Sequence, residues 1–220
     1  MAMMLALTTF AQKDVTKFLG IPVDGTKAQM IAKLKAKGFT PSTKPYKKGA
    51  LTGTFNGRKV DLYIVTNNNK VYRIMVADQQ SDNATDIKIH FNNLCEQFKN
   101  NKKYISFEDQ TIPKEENILH EMIVNNKRYQ ACFYQAPSDT AHIKNVAMAV
   151  REKLLQKYSE YQLANPTEEI QKEATSETMS AVLEDSQNRS VWFMISENFS
   201  NFQLVMYYDN EYNRAHGEDL

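Results

Sequence analysis

Hydrophobic and polar residues alternate in three neighbouring stretches of the chain, and a two-residue period is typical of β-strands. The pattern predicts strands over residues 51–55, 59–66 and 70–78. Asn56-Gly57 separates the first two strands, and Asn67-Asn68-Asn69 separates the second from the third. Because Asn and Gly tolerate the positive φ angles of tight hairpin turns, we expect these strands to pair in an antiparallel sheet.

A helix is predicted before these strands, where Met30, Ile31 and Leu34 share one face and Gly38 supplies a C-terminal cap. The order restarts after residue 80, where Ser81-Asp82 is expected to cap a second helix. Spacings of four, three and four place four apolar residues of this helix on one face: Ile87, Phe91, Leu94 and Phe98.

The second helix is followed by further strand-like stretches, predicted at 103–107, 117–124 and 127–135, with a hairpin at Asn125-Asn126. A third helix is predicted after Pro137, with an apolar stripe of Ile143, Val146, Val150, Leu154 and Tyr158. A last hairpin is predicted from the strands 191–196 and 202–208.

Short sequence matches recur along the chain. Asn69-Lys70-x-Tyr72 returns as Asn126-Lys127-x-Tyr129, and Ser81-Asp82 returns as Ser138-Asp139, each 57 residues later. Internal similarity at a fixed spacing is the signature of a repeated structural unit. We therefore predict an α+β fold of repeated α-β-β-β units, with an antiparallel sheet and the helices on one face. The predicted units are residues 13–80, 81–136 and 137–220.

The third unit contains an acidic insert over residues 164–185, which holds six carboxylates and the single basic residue Lys172. This composition is typical of an exposed acidic helix or a mobile loop. The insert is interpreted as a solvated linker, and the alternative is a docking arm for a basic partner.

Residues 1–12 begin with an uncharged apolar run and are interpreted as the remnant of a signal peptide. Thr9 and Ala11 supply the small residues that a signal peptidase reads, although the basic front region of a signal is absent. The alternative is an ordinary apolar strand or helix. The sequence thus predicts a periplasmic or secreted protein, with a cytoplasmic one as the alternative.

One stretch shows a family resemblance. The opening Gly25-Thr26-Lys27-Ala28-Gln29-Met30-Ile31, followed by an antiparallel meander, resembles the β-lactamase-inhibitor-protein-like (BLIP-like) modules of bacterial envelopes. The preceding residues 18–23 are similar to the lead-in of many exported bacterial proteins of unknown function. The resemblance covers mainly residues 18–80, and it implies a non-catalytic module that holds a protein partner against its sheet.

The chain shows no motif of nucleophilic, phosphate-binding or dinucleotide-binding chemistry. The histidines lack zinc-like spacing, and Asp78, Asp82 and Asp86 lack the alternation of a calcium loop. We therefore predict no catalytic residues, no metal site and no cofactor. The alternative is an enzyme or small-ligand site assembled from scattered residues, such as His120 with Glu121 and Tyr129.

The two cysteines are interpreted as small buried hydrophobic residues. An oxidising compartment would permit a disulfide between Cys95 and Cys132. The strand alternation, however, places Cys132 on the sheet face opposite the helix that carries Cys95. A disulfide is therefore the less favoured alternative.

Charge is balanced overall, with a formal net charge of +1, but it is distributed unevenly. Residues 13–73 hold thirteen basic and three acidic residues. The corresponding candidate patch for an anionic partner consists of Lys33, Lys37, Tyr46, Lys47, Lys48, Arg58 and Lys59. Solvated lysines are the default interpretation, and an anionic partner is the alternative. No nucleic-acid-binding signature accompanies the patch, so no nucleic acid is expected. The asymmetry would also allow two copies to associate head to tail.

Both faces of the last predicted hairpin are apolar, whereas a half-exposed antiparallel strand should alternate. Either the acidic insert or the tail covers the outer face, or a partner does. The candidate partner surface is Trp192, Met194, Val205, Tyr207 and Tyr208, because aromatic side chains commonly anchor interfaces. The sequence thus predicts an exported, non-enzymatic module, without membrane-spanning segments, that binds an unidentified protein through its sheet. The alternatives are a binder of an anionic polymer or small ligand, and an enzyme.

Overall fold

The computed structural model describes residues 14–137, 140–198, 201–215 and 217 of the 220-residue chain. The expectations for residues 1–12 and for the Ser138-Asp139 match lie outside the described residues.

The centre of the fold is one eight-stranded antiparallel sheet, in the order β3-β4-β5-β6-β10-β9-β8-β7. Its strands are β3 (Thr40–Pro41), β4 (Leu51–Phe55), β5 (Arg58–Asn67), β6 (Lys70–Asp78), β7 (Tyr104–Ile105), β8 (Gln130–Gln135), β9 (Ser190–Asn198) and β10 (Asn201–Asp209). A separate short hairpin pairs β1 (Lys17–Phe18) with β2 (Ile21–Pro22). Helices and an antiparallel sheet together confirm the predicted α+β class.

The turns of the first unit contain the positive φ angles that their Asn and Gly residues predict. Asn56 and Gly57 join β4 to β5, and Asn68 and Asn69 join β5 to β6, all with positive φ angles. The predicted strands of this unit agree with the observed ones to within one or two residues.

Six α-helices accompany the described strands: α1 (Lys27–Ala36), α2 (Ala84–Lys99), α3 (Ile118–Ile123), α4 (Thr140–Leu155), α5 (Glu160–Ala164) and α6 (Glu168–Gln187). A capping box between Thr26 and Gln29 starts α1. The cap of α2 is Asn83, whose side chain accepts from Thr85 N and Asp86 N. The expected Ser81-Asp82 cap is therefore wrong by one residue.

Helices α1 and α2 pack on the same face of the sheet and share one hydrophobic core with it. As predicted, Ile87, Phe91, Leu94 and Phe98 of α2 are all buried. The ring of Phe98 stacks on Phe133 of β8, with ring centroids 4.7 Å apart. The opposite side of the sheet, which we call the open face, carries neither of these helices.

The second predicted unit folds unlike the first. Residues 117–124, expected to form a strand, contain helix α3, which Asn117 caps and Ile118 anchors in the core. Asn125-Asn126 follows this helix and makes no β-hairpin. The described structure therefore does not confirm a repeated unit.

The acidic insert forms most of α6, which runs antiparallel to α4. We call the segment from α4 to α6, residues 140–187, the helical arm. Val150 and Leu154 of α4 and Ile170 of α6 are buried, and Lys153–Glu177 and Lys157–Glu173 ion pairs join the two helices. The predicted stripe on α4 holds only in part, because Ile143 is exposed.

Candidate functional site

The open face presents a row of partly exposed side chains across five strands. Directly paired residues of neighbouring antiparallel strands point to the same side of a sheet. The register therefore aligns five half-buried side chains on the open face: Tyr63, Met75, Tyr207, Trp192 and Cys132. This row is rich in the aromatic and methionine side chains that protein interfaces favour.

Trp192 and Tyr207 form the centre of the row. Their rings stack with centroids 4.1 Å apart and an angle of 20° between the planes. The guanidinium of Arg73 lies 4.8 Å from the centre of the Tyr207 ring and binds both carboxylate oxygens of Asp209 at 2.6 Å. The Trp192 indole donates to Asp209 Oδ2 at 2.9 Å. These contacts hold both aromatic rings in fixed orientations.

The structure brings together four of the five residues in the predicted partner surface. Met194 and Val205 lie opposite each other on the open face, beside Trp192 and Tyr207. Val205 is buried there. Tyr208 instead points into the core, where its ring packs edge-on against Phe18 at 4.8 Å. The strict alternation of β10 causes this separation, because consecutive strand residues point to opposite faces.

Two ion pairs form within the chain on the open face, whereas Lys59, which strand alternation also places on this face, is exposed and has no ion pair among the described residues. Arg73 pairs with Asp209, and Lys47 pairs with Asp61, which also accepts from Gln79 at 2.8 Å. Asp61 lies on the open face but is only 2% exposed. The centre of the open face therefore combines apolar rings with two internal ion pairs.

The candidate anionic patch is dispersed. Lys33 and Lys37 are exposed at and just beyond the end of α1, while Tyr46, Lys48 and Lys59 are exposed in loops or on a strand. The remaining two cations are occupied by carboxylates: Lys47 by Asp61, and Arg58 by Asp78 and Asp82. The structure does not join these seven residues into one basic surface.

Arg58 is the centre of a second feature that the sequence did not reveal. We define the charge cluster as Arg58, Asp78, Asp82 and His90. Arg58 Nε lies 3.0 Å from Asp78 Oδ2, and Arg58 Nη2 lies 2.9 Å from Asp82 Oδ2. His90 Nδ1 lies 3.6 Å from both carboxylates. Arg58 Nε, Asp78 Oδ2 and His90 Nδ1 are buried and lack a well-aligned hydrogen bond to any described group.

The charge cluster has unusual proton affinities. Burial raises the pKa of Asp78 to about 6, and Asp82 adds to the rise while Arg58 opposes it. Burial and the nearby guanidinium of Arg58 lower the pKa of His90. The ligand atoms of Asp78, Asp82 and His90 lie within 4.8 Å of one another, a spacing that a metal ion could use. Because Arg58 already places a positive charge against both carboxylates, the geometry favours an internal ion-pair network.

In the alternative site around His120, the described side-chain hydrogen bonds involve Tyr129 but not the imidazole of His120. His120 is exposed on α3, whereas Tyr129 is buried and donates its hydroxyl to Glu116, which Lys127 also binds. The Lys127 and Tyr129 hydrogen bonds lower the pKa of Glu116. The described contacts therefore pair Tyr129 with Glu116 instead of His120.

Both cysteines are free. Cys95 is buried on α2, and Cys132 lies on the open face, as the strand alternation predicts. Burial raises the pKa of both thiols, Cys95 to about 12, so neither is an activated nucleophile.

No family model, curated protein or solved structure matches this chain. Across the described residues, none of the helices combines the length and apolar character needed to cross a membrane. The resemblance of residues 18–80 to BLIP-like modules remains a prediction.

Proposed function

We propose that this chain is a binding module that recognises another protein through the open face of its sheet. The observation that carries the proposal is the half-buried Trp192–Tyr207 pair at the centre of that face, flanked by Met75 and Met194. A contiguous apolar surface that folding leaves accessible marks an interaction site more often than isolated apolar residues do.

The contacts around these side chains suit an interface anchor. Tryptophan, tyrosine and arginine dominate the residues whose truncation costs most binding energy. Here Arg73, Tyr207 and Trp192 are held by stacking and by the Asp209 carboxylate. Little side-chain entropy is then lost when a partner binds, which favours affinity.

The chemistry of the face also indicates the kind of partner. Since Arg73 and Lys47 already have carboxylate partners, the centre of the described face offers apolar rings and thioethers, and the exposed Lys59 lies on the β5 side of it. A complementary protein surface would be apolar at its centre, such as one side of an amphipathic helix. A strongly charged polymer would find little electrostatic attraction there.

Placing a charge on the open face should abolish recognition. We expect Met194→Glu to weaken partner binding at least about tenfold, because a carboxylate would be desolvated against the partner's apolar surface. Met179→Glu is the matched control, since Met179 is an exposed methionine of the helical arm. Both variants should keep the unfolding midpoint of the wild type within a few degrees.

The partner is captured by a photoreactive benzoylphenylalanine placed at position 75 in the source cells. Binding is measured as the yield of one defined covalent adduct, identified by mass spectrometry. The adduct should persist with Met179→Glu and disappear with Met194→Glu. An adduct that contains a second copy of this chain would identify self-association. Equal yields in both variants, or no defined adduct, would refute the proposal.

A further inference from the structure

A cleft opens on the helix-covered side of the sheet, between the β1–β2 hairpin and α2. Two adjoining cavities of about 300 and 630 Å³ form it, and both are lined by Leu19, Phe55, Asn101, Tyr104 and Tyr208. Small-molecule sites commonly have volumes of this size and apolar walls with a few polar groups. The cleft is on the side of the sheet opposite the open face.

The cleft combines apolar side chains with neutral polar ones at one end and is basic at the other. Near α2 it is lined by Leu94, Phe98 and Met206, and at its far end by Lys17, Lys102 and Lys103. The described lining includes no carboxylate. None of the three lysines forms an ion pair with a described residue, unlike Lys47 on the open face.

The backbone conformation and exposure of Leu19 give a second, independent indication that the cleft is a ligand site. Leu19 occupies the turn of the β1–β2 hairpin with a φ of +51° and is 39% exposed at the edge of the cleft. Every other described non-glycine residue with a positive φ is an asparagine, the residue that tolerates this conformation best. A branched apolar side chain is thus held in a strained turn and in water. Such strain concentrates at functional sites.

We propose that this cleft binds a small amphipathic carboxylate, a medium-chain fatty acid, with its alkyl chain along Leu19, Phe55 and Phe98. The carboxylate lies at the basic end, within reach of Lys102 and Lys103. Leu19 covers the alkyl chain, and this contact offsets the conformational strain and exposure that the free protein tolerates. This inference is separate from recognition of a protein on the open face.

The probe is dodecanoate, titrated calorimetrically below its micelle concentration. Dodecyl maltoside and dodecyltrimethylammonium serve as neutral and cationic probes with the same chain. Dodecanoate should bind one to one and at least about tenfold more tightly than either. Equal affinity of all three probes, or no binding of dodecanoate, would overturn the proposal.

Two variants test the assigned residues. Leu19→Asn should raise the melting temperature by about 2–4 °C, because asparagine relieves the strained turn, and should weaken dodecanoate binding about tenfold. The double variant Lys102→Ser/Lys103→Ser should weaken dodecanoate binding about fivefold or more. Lys27→Ser/Lys35→Ser, at two exposed lysines of α1, is the matched control and should leave dodecanoate binding unchanged. If Leu19→Asn stabilises the fold but leaves the affinity unchanged, the role assigned to Leu19 is refuted.

Met194→Glu should not alter dodecanoate binding, so this proposal and the proposed function can fail independently.

Discussion

Replacing Arg189 by methionine should lower the free energy of unfolding by about 3–5 kcal/mol, the usual effect of removing one partner from a buried ion pair. The side chain of Arg189 is only 1% exposed. It binds Asp185 Oδ2, donates from Nε to the Gln135 carbonyl at 3.0 Å and lies 3.8 Å from Asp14. Through these contacts one guanidinium joins the helical arm to strand β8 and to the first described residues.

The loss arises from the carboxylates left behind. Burial acts to raise the pKa of Asp185, but hydrogen bonds from Arg189 and His142 outweigh it and hold this pKa below its ordinary value. Without Arg189, Asp185 is a poorly compensated charge. Arg189→Lys should recover only part of the stability, because an ammonium group cannot reproduce the planar fork of a guanidinium.

Urea unfolding followed by circular dichroism measures these changes. Arg151→Met is the matched control, since Arg151 is 60% exposed and pairs with an exposed Glu160; we expect a change below about 0.5 kcal/mol. The double variant Arg189→Met/Asp185→Met should be more stable than Arg189→Met alone, because it removes the poorly compensated Asp185 carboxylate. A loss of under about 1 kcal/mol for Arg189→Met would show that the arm is attached mainly by other contacts.

The sequence predicts those parts of the fold that are determined by residues close together in the chain. Asn56-Gly57 and Asn68-Asn69 define hairpins because their backbone preferences act within the turn. The four-three-four spacing on α2 predicts its buried face for the same reason. The pairing of β6 with β10, which joins distant parts of the chain, has no local signal.

Residues 117–124 show why a strand pattern can fail. The outer edge of β8 needs partners for its backbone groups, and the strand predicted at 117–124 was expected to supply them. Instead β7 pairs with Tyr134 and Gln135, and the side chain of Gln110 accepts from Cys132 N and donates to Cys132 O. With that edge satisfied, residues 118–123 are free to form α3 on the Asn117 cap.

The sequence predicted the residues of the open face in part, and it did not indicate the charge cluster. Alternation along β9 and β10 predicts that Trp192 and Tyr207 share a surface, but it also excludes Tyr208, which the all-apolar appearance of the hairpin concealed. The charge cluster gave no signal, because Arg58, Asp78 and His90 come from β5, β6 and α2. The sequence explained Asp82 as a helix cap, a role that Asn83 fills.

Asp78→Asn should make the protein more stable at pH 7, by about 2 kcal/mol. A shift of the Asp78 pKa from 3.8 to about 6 represents roughly 3 kcal/mol, and the expected gain is smaller because water reaches part of the carboxylate. The amide keeps the shape of the side chain and removes the buried charge. Arg58 retains its ion pair with Asp82 at 2.9 Å.

The stability gained by Asp78→Asn should decrease as the pH falls. Because the folded-state pKa of Asp78 is raised, the native protein binds this proton more tightly than the unfolded chain does. The favourable contribution of protonated Asp78 is complete below about pH 3.8 and is lost as the pH rises through about 6. The advantage of Asp78→Asn over the wild type should therefore shrink as the pH falls from 7 to 4.

His90→Gln, in the same charge cluster, should change the stability with the opposite dependence on pH. The pKa of His90 is lowered in the folded state, so the unfolded chain binds its proton more tightly, and stability is lost as the pH falls below about 6.5. The advantage of His90→Gln should consequently grow between pH 7 and pH 5. Urea unfolding at pH 7, 6, 5 and 4 compares each variant with the wild type, so that contributions from other groups cancel. Parallel profiles, or a destabilised Asp78→Asn at pH 7, would mean that attraction to Arg58 outweighs the cost of burying the Asp78 carboxylate.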